Sequence, residues 1–365
     1  MTLASGMALA PLSALYGAVT RARLMLYQRG ALPVHKLNTP VISVGNITTG
    51  GTGKTPLVAW IARMLALTGR RVCVLTRGYG RAHPGERVIV SDGERILADA
   101  REGGDEPVLL AEMLLGMAAV ISDADRVGAA RWAEVAFGSQ VFILDDGFQH
   151  LRIARDLDVL TIDGCAPWGG GHLLPRGHLR EPLRGLARAD IIVITRADQA
   201  QHLSSLKQQA ERLSKGRPVL LAHARTLRMR SLFRVDEEGA SGTAFPSTSA
   251  AAFCAIGNPQ SFFTHVRRDG HTLSYTRAFA DHHVYRQEDV DAIEREAEAL
   301  GAQMLVTTTK DAVKLRRLRF RLPCYVLEIE MVLDDESKLL DLVREAVMKK
   351  GGALDDKAAL PVDHI

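Results

Sequence analysis

A strand-like apolar run that enters a glycine-rich turn and then a helix constrains this chain most. Residues 41–44 are apolar or small, Gly50-Gly-Thr-Gly-Lys-Thr55 follows, and apolar residues then recur at helical spacing over 57–65. The glycines let consecutive backbone N–H groups turn toward phosphate oxygens, and the positive end of the following helix points to the same place. The sequence therefore predicts a triphosphate-binding loop, in which Lys54 reaches the β- and γ-phosphates and the Thr55 hydroxyl holds Mg²⁺.

The loop departs from the strict pattern G-x-x-x-x-G-K-[ST], because Thr48 stands where the first glycine belongs. The alternative interpretation is a glycine-rich turn with an incidental lysine, but the preceding strand and the following helix favour the phosphate loop. The residues expected to hold the nucleotide are Thr48, Thr49, Gly50, Gly51, Thr52, Gly53, Lys54 and Thr55.

The chain has 365 residues, of which 47% are hydrophobic, enough apolar material for two compact domains. Its net charge of +4 is too small to indicate a nucleic-acid partner. The four cysteines are far apart in the sequence, so they indicate neither a zinc site nor a disulfide framework. A reducing cytosolic environment fits this pattern.

Apolar runs alternate with helix-like segments along most of the chain, which predicts parallel strands covered on both faces. We expect an α/β fold: a P-loop NTPase-like, doubly wound, mainly parallel sheet and a second, smaller α/β domain, joined by a connecting ribbon and loop. The expected strands are residues 41–44, 72–75, 118–121, 141–144, 159–162, 191–194, 218–221, 253–256, 304–307 and 324–329. The expected units are an amino-terminal helix in 1–30, a P-loop domain in 31–224, a linker in 225–250, a smaller domain in 251–349 and a tail in 350–365.

The amino-terminal segment is uncharged over its first twenty residues but is interrupted by Pro11, so it is weak as a membrane span. Its arginines follow the apolar part rather than precede it, which argues against a secretory signal. Apolar residues recur every three or four positions at Leu12, Leu15, Val19, Ala22 and Leu26. This stripe suits either a helix at an anionic membrane surface or a helix packed on the body of the protein.

Two carboxylates, Asp145 and Asp146, follow the strand predicted at 141–144, where a P-loop fold places its second Mg²⁺-binding group. Adjacent carboxylates repel one another, so a bound cation would explain why two of them stand together. The alternative is a solvated turn that binds no metal. Asp105 lies ahead of an apolar helical segment and is either its N-cap or a base over the phosphate site. His282 could reach that site from the second domain if the cleft closes.

Other basic residues follow predicted strands beside glycine or proline, where arginine forks suit phosphate oxygens. They are Arg77, Arg81, Arg126, Arg176, His178 and Arg180. Thr195-Arg-Ala-Asp198 is similar to the base-reading segment of GTPases but lacks its lysine. A nucleotide-hydrolysing switch protein and a non-catalytic nucleotide-binding module are the competing functional hypotheses.

Several motifs together resemble the tetraacyldisaccharide 4′-kinase family, in the family's order, over about residues 10–330. They are Gly45-Asn46 leading into Gly-Gly-Thr-Gly-Lys-Thr, Thr76-Arg-Gly-Tyr-Gly80, Gly104-Asp-Glu-Pro107, Asp145-Asp-Gly-Phe-Gln-His150, Leu174-Pro-Arg-Gly177 with Arg180-Glu-Pro182, Phe279-Ala-Asp-His282 and Thr309-Lys-Asp311. The resemblance implies ATP- and Mg²⁺-dependent phosphorylation of the 4′-hydroxyl of an acylated glucosamine disaccharide 1-phosphate, forming lipid IVA in lipid A biosynthesis.

The resemblance also implies two α/β/α domains joined by a two-stranded linker. It further implies that the protein acts at the cytoplasmic face of the bacterial inner membrane, with the amino-terminal helix on the membrane surface. It implies no nucleic-acid partner and no obligate protein partner. Position by position, Lys54 is the phosphate-binding lysine, and Asp105 is the base with His282 as its partner. The implied metal-site residues are Thr55, Asp145, Asp146 and Glu106, and the implied substrate-site residues are Tyr79, Arg126, His150, Arg176 and Arg180.

Overall fold

A computed structural model describes residues 9–233 and 249–351 of the chain. The strands in these ranges are β1 (Val41–Asn46), β2 (Val72–Thr76), β3 (Val88–Ser91), β4 (Ala118–Ser122), β5 (Val141–Asp145), β6 (Leu157–Asp163), β7 (Ile191–Thr195), β8 (Val219–Ser231), β9 (Ala250–Cys254), β10 (Leu273–Ala278), β11 (Met304–Thr308) and β12 (Cys324–Leu333). The α-helices are α1 (Ala10–Gln28), α2 (Lys54–Leu67), α3 (Ala100–Gly103), α4 (Asp105–Met113), α5 (Arg126–Ala136), α6 (Leu203–Leu213), α7 (Pro259–Arg268), α8 (Gln287–Ala299), α9 (Thr309–Leu315) and α10 (Glu336–Gly351).

The strands form one sheet in the order β10-β9-β11-β12-β8-β7-β6-β1-β5-β2-β4-β3. Strand β1 lies between β5 and β6 and is parallel to both, and every residue of β1 is buried. Helices cover both faces of this region, which explains why its strands are apolar throughout rather than alternating. The predicted α/β fold with a mainly parallel sheet is confirmed, and the antiparallel edge strand β3 is an addition that the sequence did not predict.

The long strands β8 and β12 connect the two parts of the sheet. They pair antiparallel from Ser231 opposite Tyr325 to Ala222 opposite Leu333. The beginning of β8 also pairs with β7, through Val219–Leu221. The sequence predicted a strand at 218–221 and a separate ribbon from residue 225, but the two are one continuous strand. Of the predicted linker, residues 234–248 lie outside the described part of the chain.

The smaller part of the sheet contains β9, β10 and β11, all parallel to their neighbours, and carries α7 and α8. Its core includes Phe253, Tyr285, Ile293 and Leu305. The strands predicted at 253–256 and 304–307 correspond to β9 and β11, whereas β10 and the short helix α9 were not predicted. Helix α10, which chain order placed in the smaller domain, packs instead in the core of the larger part beside α2.

Helix α1 lies on the larger part through its small and polar face. The Ser13 hydroxyl donates to the Leu173 carbonyl at 2.8 Å, and the Tyr16 hydroxyl donates to the Arg180 carbonyl at 2.9 Å. The helix leaves its apolar stripe outside: Leu12, Leu15 and Val19 are 55%, 62% and 59% exposed. Across the described residues, no helix combines the length and the apolar character needed to cross a bilayer.

Candidate active site

A cleft of about 1080 Å³ lies between the two parts of the sheet, at the carboxyl ends of the central strands. On one side it is lined by the turn between β1 and α2, which is the predicted phosphate loop. Gly53 has a φ of +73°, a backbone conformation that glycine adopts without strain and that lets α2 begin at Lys54. On the other side Gly257 lies so close to the loop that a Cβ there would be 2.5 Å from the Gly51 amide nitrogen. The two parts therefore meet directly over the phosphate loop.

The eight predicted loop residues do not all face the cleft. Residues 49–55 line it, whereas Thr48 is buried and lies outside the lining. The Thr52 hydroxyl also points inward, because it accepts from Asn46 Nδ2 at 2.8 Å and lies 2.8 Å from Thr161 Oγ1. Thr52 thus anchors the loop to β1 and β6 beneath it. The groups of the loop that are available to bind phosphates and their metal are backbone amides, Lys54 and Thr55.

Asp146 lies between two cations at the mouth of the loop. Its Oδ1 is 3.4 Å from Lys54 Nζ, and its Oδ2 accepts from Arg180 at 2.6 Å. Burial opposes ionisation of this carboxyl, but Lys54 and Arg180 outweigh burial and lower the pKa of Asp146 to about 2. Asp146 is therefore a permanent anion that positions both basic side chains.

Asp145, one residue earlier, is in the opposite electrostatic situation. It is only 3% exposed, and the Thr76 hydroxyl donates to its Oδ2 at 3.2 Å. Burial, followed by the charges of Glu106 and Asp146, raises the pKa of Asp145 to about 7. A buried carboxylate crowded by other carboxylates requires a positive partner to ionise fully at neutral pH.

Mg²⁺ fits this donor set, because it prefers hard oxygen ligands and usually keeps several waters beside one or two carboxylates and the substrate phosphates. Thr55, Asp145 and Asp146 supply such oxygens beside the loop. Within residues 9–233 and 249–351, no three Asp, Glu, His or Cys side chains form a preassembled metal cage. Glu106, also predicted as a ligand, bonds instead to Lys310, whose Nζ lies 2.8 Å from Glu106 Oε1.

Asp105 and His282 meet across the cleft. His282 Nδ1 lies 2.9 Å from Oδ2 and 3.1 Å from Oδ1 of Asp105. The N-cap interpretation of Asp105 is wrong by one residue: Gly104 is the cap, and Asp105 is the first residue of α4. Its carboxylate is free to face the second part of the sheet, from which His282 approaches.

The two side chains shift each other's pKa in opposite directions. The hydrogen bond to Asp105 raises the pKa of His282 above its usual value, against the opposing effect of burial. Burial works against the charged form of Asp105, but the His282 hydrogen bond and Lys310 lower the pKa of that carboxyl overall. The pair therefore favours a carboxylate beside an imidazolium.

Lys310 lies in the motif Thr309-Lys-Asp311, but the sequence indicated no role for it. Its ammonium joins Glu106 to Asp281, at 2.8 and 3.1 Å respectively. Lys314, one turn later on α9, lies 4.0 Å from Asp105 Oδ2 and 3.1 Å from Asp311. The seven-residue helix that carries both lysines is too short to show a clear apolar period, so the sequence indicated Lys310 only through its motif and gave no sign of Lys314.

Three predicted substrate residues, Tyr79, Arg126 and His150, line the cleft near Asp145. Arg126 lies 3.4 Å from His150 Nδ1, and burial, followed by the charge of Arg126, lowers the pKa of His150 to about 3. Within the described residues, Arg126 Nε and His150 Nε2 are buried and have no hydrogen-bond partner. Unsatisfied polar atoms that border a cleft are suited to a polar ligand.

The other predicted basic residues divide between the cleft and the framework. Arg180 lines the cleft, whereas Arg176 does not. Arg77 donates to the Tyr79 hydroxyl at 3.0 Å, and Arg81 is buried and donates to the Ser122 carbonyl at 2.7 Å. Arg81 therefore supports the sheet rather than the ligand.

The GTPase-like segment is engaged in contacts between the two parts of the sheet. Arg196 forms an ion pair with Asp163 at 2.8 Å and also donates to the Gly51 carbonyl. Asp198, the residue that would accept from guanine, is paired with Arg268 of α7. The structure thus uses this segment to join the phosphate loop to the smaller part.

Comparisons with known proteins agree with this geometry. A family model described as tetraacyldisaccharide-1-P 4′-kinase matches residues 5–348. A tetraacyldisaccharide 4′-kinase from Geobacter metallireducens is 42% identical over 91% of this chain and 95% of its own length, and one from Geobacter sulfurreducens is 43% identical over 89% of each. A crystal structure of LpxK from Aquifex aeolicus in complex with ATP has a TM-score of 0.74 at 30% identity, covering 94% of this chain and 99% of that one.

Proposed function

The chain belongs to the tetraacyldisaccharide 4′-kinase family, and we propose from this premise which of its residues carry out the reaction. The protein is an ATP-dependent kinase of lipid A biosynthesis that phosphorylates the 4′-hydroxyl of tetraacyldisaccharide 1-phosphate to give lipid IVA. The observation that carries the assignment is the Asp105–His282 pair, which joins the two parts of the sheet at 2.9 Å beside the phosphate loop.

Asp105 is the group that accepts the proton of the attacking hydroxyl. A sugar hydroxyl is a poor nucleophile, and a carboxylate within hydrogen-bond reach both orients it and takes its proton as the bond to the γ-phosphorus forms. His282 keeps the Asp105 carboxylate ionised and correctly turned, because its Nδ1 lies within 3.1 Å of both carboxylate oxygens. The proton therefore passes from the sugar oxygen to a carboxylate that is already paired with the His282 imidazolium.

The phosphate loop binds the donor. Residues 49–55 line the cleft, and we propose that the amides of its glycine turn and Lys54 at the start of α2 bind the phosphates. Most of the catalysis of phosphoryl transfer is positioning and charge neutralisation, so these fixed donors matter more than the base. Mg²⁺, held by Thr55, Asp145 and Asp146, supplies additional positive charge to the phosphate oxygens when it is bound. Glu106 remains a candidate ligand for the same ion.

The acceptor side of the cleft holds the disaccharide. Tyr79, Arg126, His150 and Arg180 line one continuous surface next to Asp145 and Asp146. Because His150 stays neutral and Arg126 stays charged, the two can donate to sugar and phosphate oxygens without a change of protonation. Arg176 lies outside the lining, so we propose that it contacts only a part of the substrate that extends beyond the cleft.

We propose that α1 binds the membrane that contains the lipid acceptor. It is fixed to the cleft through Tyr16 and Arg180, and Leu12, Leu15 and Val19 are exposed on it, with Val19 at the rim of the cleft. An exposed apolar stripe beside arginines is typical of helices at anionic interfaces. The proposed location is the cytoplasmic face of the bacterial inner membrane. Our proposed domain division places the β8–β12 pair as the connection between a larger kinase domain and a smaller domain.

A label-transfer assay tests the proposed roles. We expect γ-³²P from ATP to appear on detergent-dispersed disaccharide lipid, and Asp105→Ala to lower turnover by about 10²-fold or more with little change in ATP affinity. Arg317→Ala, which removes an exposed ion pair with Asp99, is the matched control and should retain turnover. Normal turnover in a folded Asp105→Ala protein would contradict the base assignment. Hydrolysis without transfer would instead favour a nucleotide switch.

A further inference from the structure

We propose that Lys310 is a positioning residue of this kinase, which holds the turn carrying His282 so that His282 stays on Asp105. The inference rests on the roles of Asp105 and His282 given above. Lys310 lies on α9, in the smaller part of the protein, and is only 13% exposed. Its ammonium reaches Glu106, the residue after Asp105, and Asp281, the residue before His282.

The turn at His282 needs external support. His282 has a φ of +63°, which is unfavourable for a residue with a side chain and persists only where the surroundings define it. Its amide donates to Asp281 Oδ1 at 3.1 Å, so the Asp281 carboxylate closes the turn. Lys310 Nζ lies 3.1 Å from the same oxygen. Lys310 therefore holds the Asp281 carboxylate, and that carboxylate in turn holds the backbone amide of His282.

The second contact ties that turn to α4. Lys310 Nζ lies 2.8 Å from Glu106 Oε1, and Glu106 directly follows Asp105 at the start of α4. Two consecutive residues of α4 thus bind two groups of the smaller part, and Asp281 links those two groups to each other. Removal of this largely buried cation leaves Glu106 without its lysine partner and Asp281 with the more distant His282 Nε2 at 3.9 Å, so a neutral substitution should displace the turn.

Lys310 is not needed to dock α9 on α4. Arg316 and Arg317, directly after α9, pair with Glu112 at 2.8 Å and with Asp99 at 3.2 Å. The Arg316–Glu112 pair joins the end of α9 to α4 without Lys310, whereas Asp99 caps α3 and its pair with Arg317 is exposed. The loss of Lys310 should therefore change the orientation of His282 more than the association of the two parts.

The test is kinetic and uses the full chain. We expect Lys310→Met to lower kcat about tenfold or more while KM for ATP changes less than about twofold, because the phosphate loop is untouched. Lys310→Arg, which keeps the charge, should recover a substantial part of kcat. Arg317→Met removes another basic partner of the same region and should leave both constants unchanged. A loss in Lys310→Met confined to KM for ATP, or no loss at all, would overturn the proposal.

A double substitution shows whether Lys310 acts through His282. In the His282→Ala background, Lys310→Met should lower kcat less than about twofold further, because the side chain that it positions is gone. Full multiplication of the two single losses would mean that Lys310 acts independently, and would overturn the inference. Wild-type turnover in His282→Ala alone would instead contradict the proposed role of His282, so the two failures are distinguishable.

Discussion

Lys54 Nζ lies 3.4 Å from Asp146 Oδ1, so the lysine of the phosphate loop is oriented by the carboxylate that follows the neighbouring strand. Asp146 also binds Arg180, which belongs to the segment on which α1 rests. One carboxylate thus connects the donor site, the acceptor side of the cleft and the proposed membrane helix. This connection makes the charge at each position separately testable.

We predict that Lys54→Met abolishes nearly all transfer. The substitution keeps the length of the side chain and removes the charge that stabilises the transferring phosphoryl group, an effect of about 10²-fold or more in kcat/KM. Label transfer to the disaccharide lipid measures it, and Lys338→Met, an exposed lysine on α10, serves as the control. Transfer within about twofold of the wild type would mean that another group neutralises the phosphates.

Asp145→Asn should make the ligand-free protein more stable and less active. The folded-state pKa of Asp145 is raised to about 7 by burial and by Glu106 and Asp146, whereas an unfolded aspartate has a pKa of about 3.9. Ionisation therefore costs folding free energy, a penalty that grows from about pH 4, is complete above about pH 7 and is absent at lower pH.

Thermal unfolding of metal-free protein at several pH values checks this prediction. The midpoint of Asp145→Asn should exceed that of the wild type at pH 8, and the difference should vanish toward pH 4. Transfer activity should fall by about 10²-fold because a carboxylate next to the phosphates is lost. A variant that is less stable than the wild type at pH 8 would show that the negative charge of Asp145 is already compensated.

The titration of His282 should depend on Asp105. Because the hydrogen bond to Asp105 raises the pKa of His282, its midpoint should lie above the usual value of about 6.5 and fall toward it in Asp105→Asn. The stabilisation from this imidazole is fully present below the unfolded pKa and is lost as pH rises through the folded pKa. NMR of ring protons measures the midpoint, with the signal assigned by its disappearance in His282→Gln. An unchanged midpoint in Asp105→Asn would mean that the pair does not form in solution.

The elements around the phosphate loop were predictable because local signals agree there. The strand β1, the glycine turn and α2 follow one another within about thirty residues, and each has its own pattern of apolar or turn residues. The position of Asp145 and Asp146 could be predicted equally well, since the sequence shows where the buried strand before them ends. The pairing that suits Asp105 to act as a base, by contrast, depends on His282, which is 177 residues away in the sequence.

The remaining features depend on tertiary contacts that no local pattern specifies. Thr52 lies in the same loop as Lys54, yet its hydroxyl points away from the cleft because its partners Asn46 and Thr161 are on the other side. The sequence of β8 suggests two segments, because an apolar beginning is followed by a polar half. The polar half is a strand because it pairs with β12, which no local pattern shows. Lys310 likewise acquires a role only when α9 meets α4.

Finally, removing the apolar stripe of α1 should weaken membrane binding without unfolding the protein. Leu12, Leu15 and Val19 are each more than half exposed, so their replacement by glutamine costs little burial within the protein but removes the surface that would enter a bilayer. Cosedimentation with vesicles containing anionic lipid should show at least about a tenfold loss of binding for the triple variant. Its transfer to lipid in vesicles should fall more than its transfer to detergent-dispersed lipid.

A matched triple variant at Leu67, Val135 and Leu300, which are also more than half exposed elsewhere on the surface, should bind vesicles as the wild type does. Equal losses in the two triple variants would mean that general surface hydrophobicity, and not α1, is responsible for the binding.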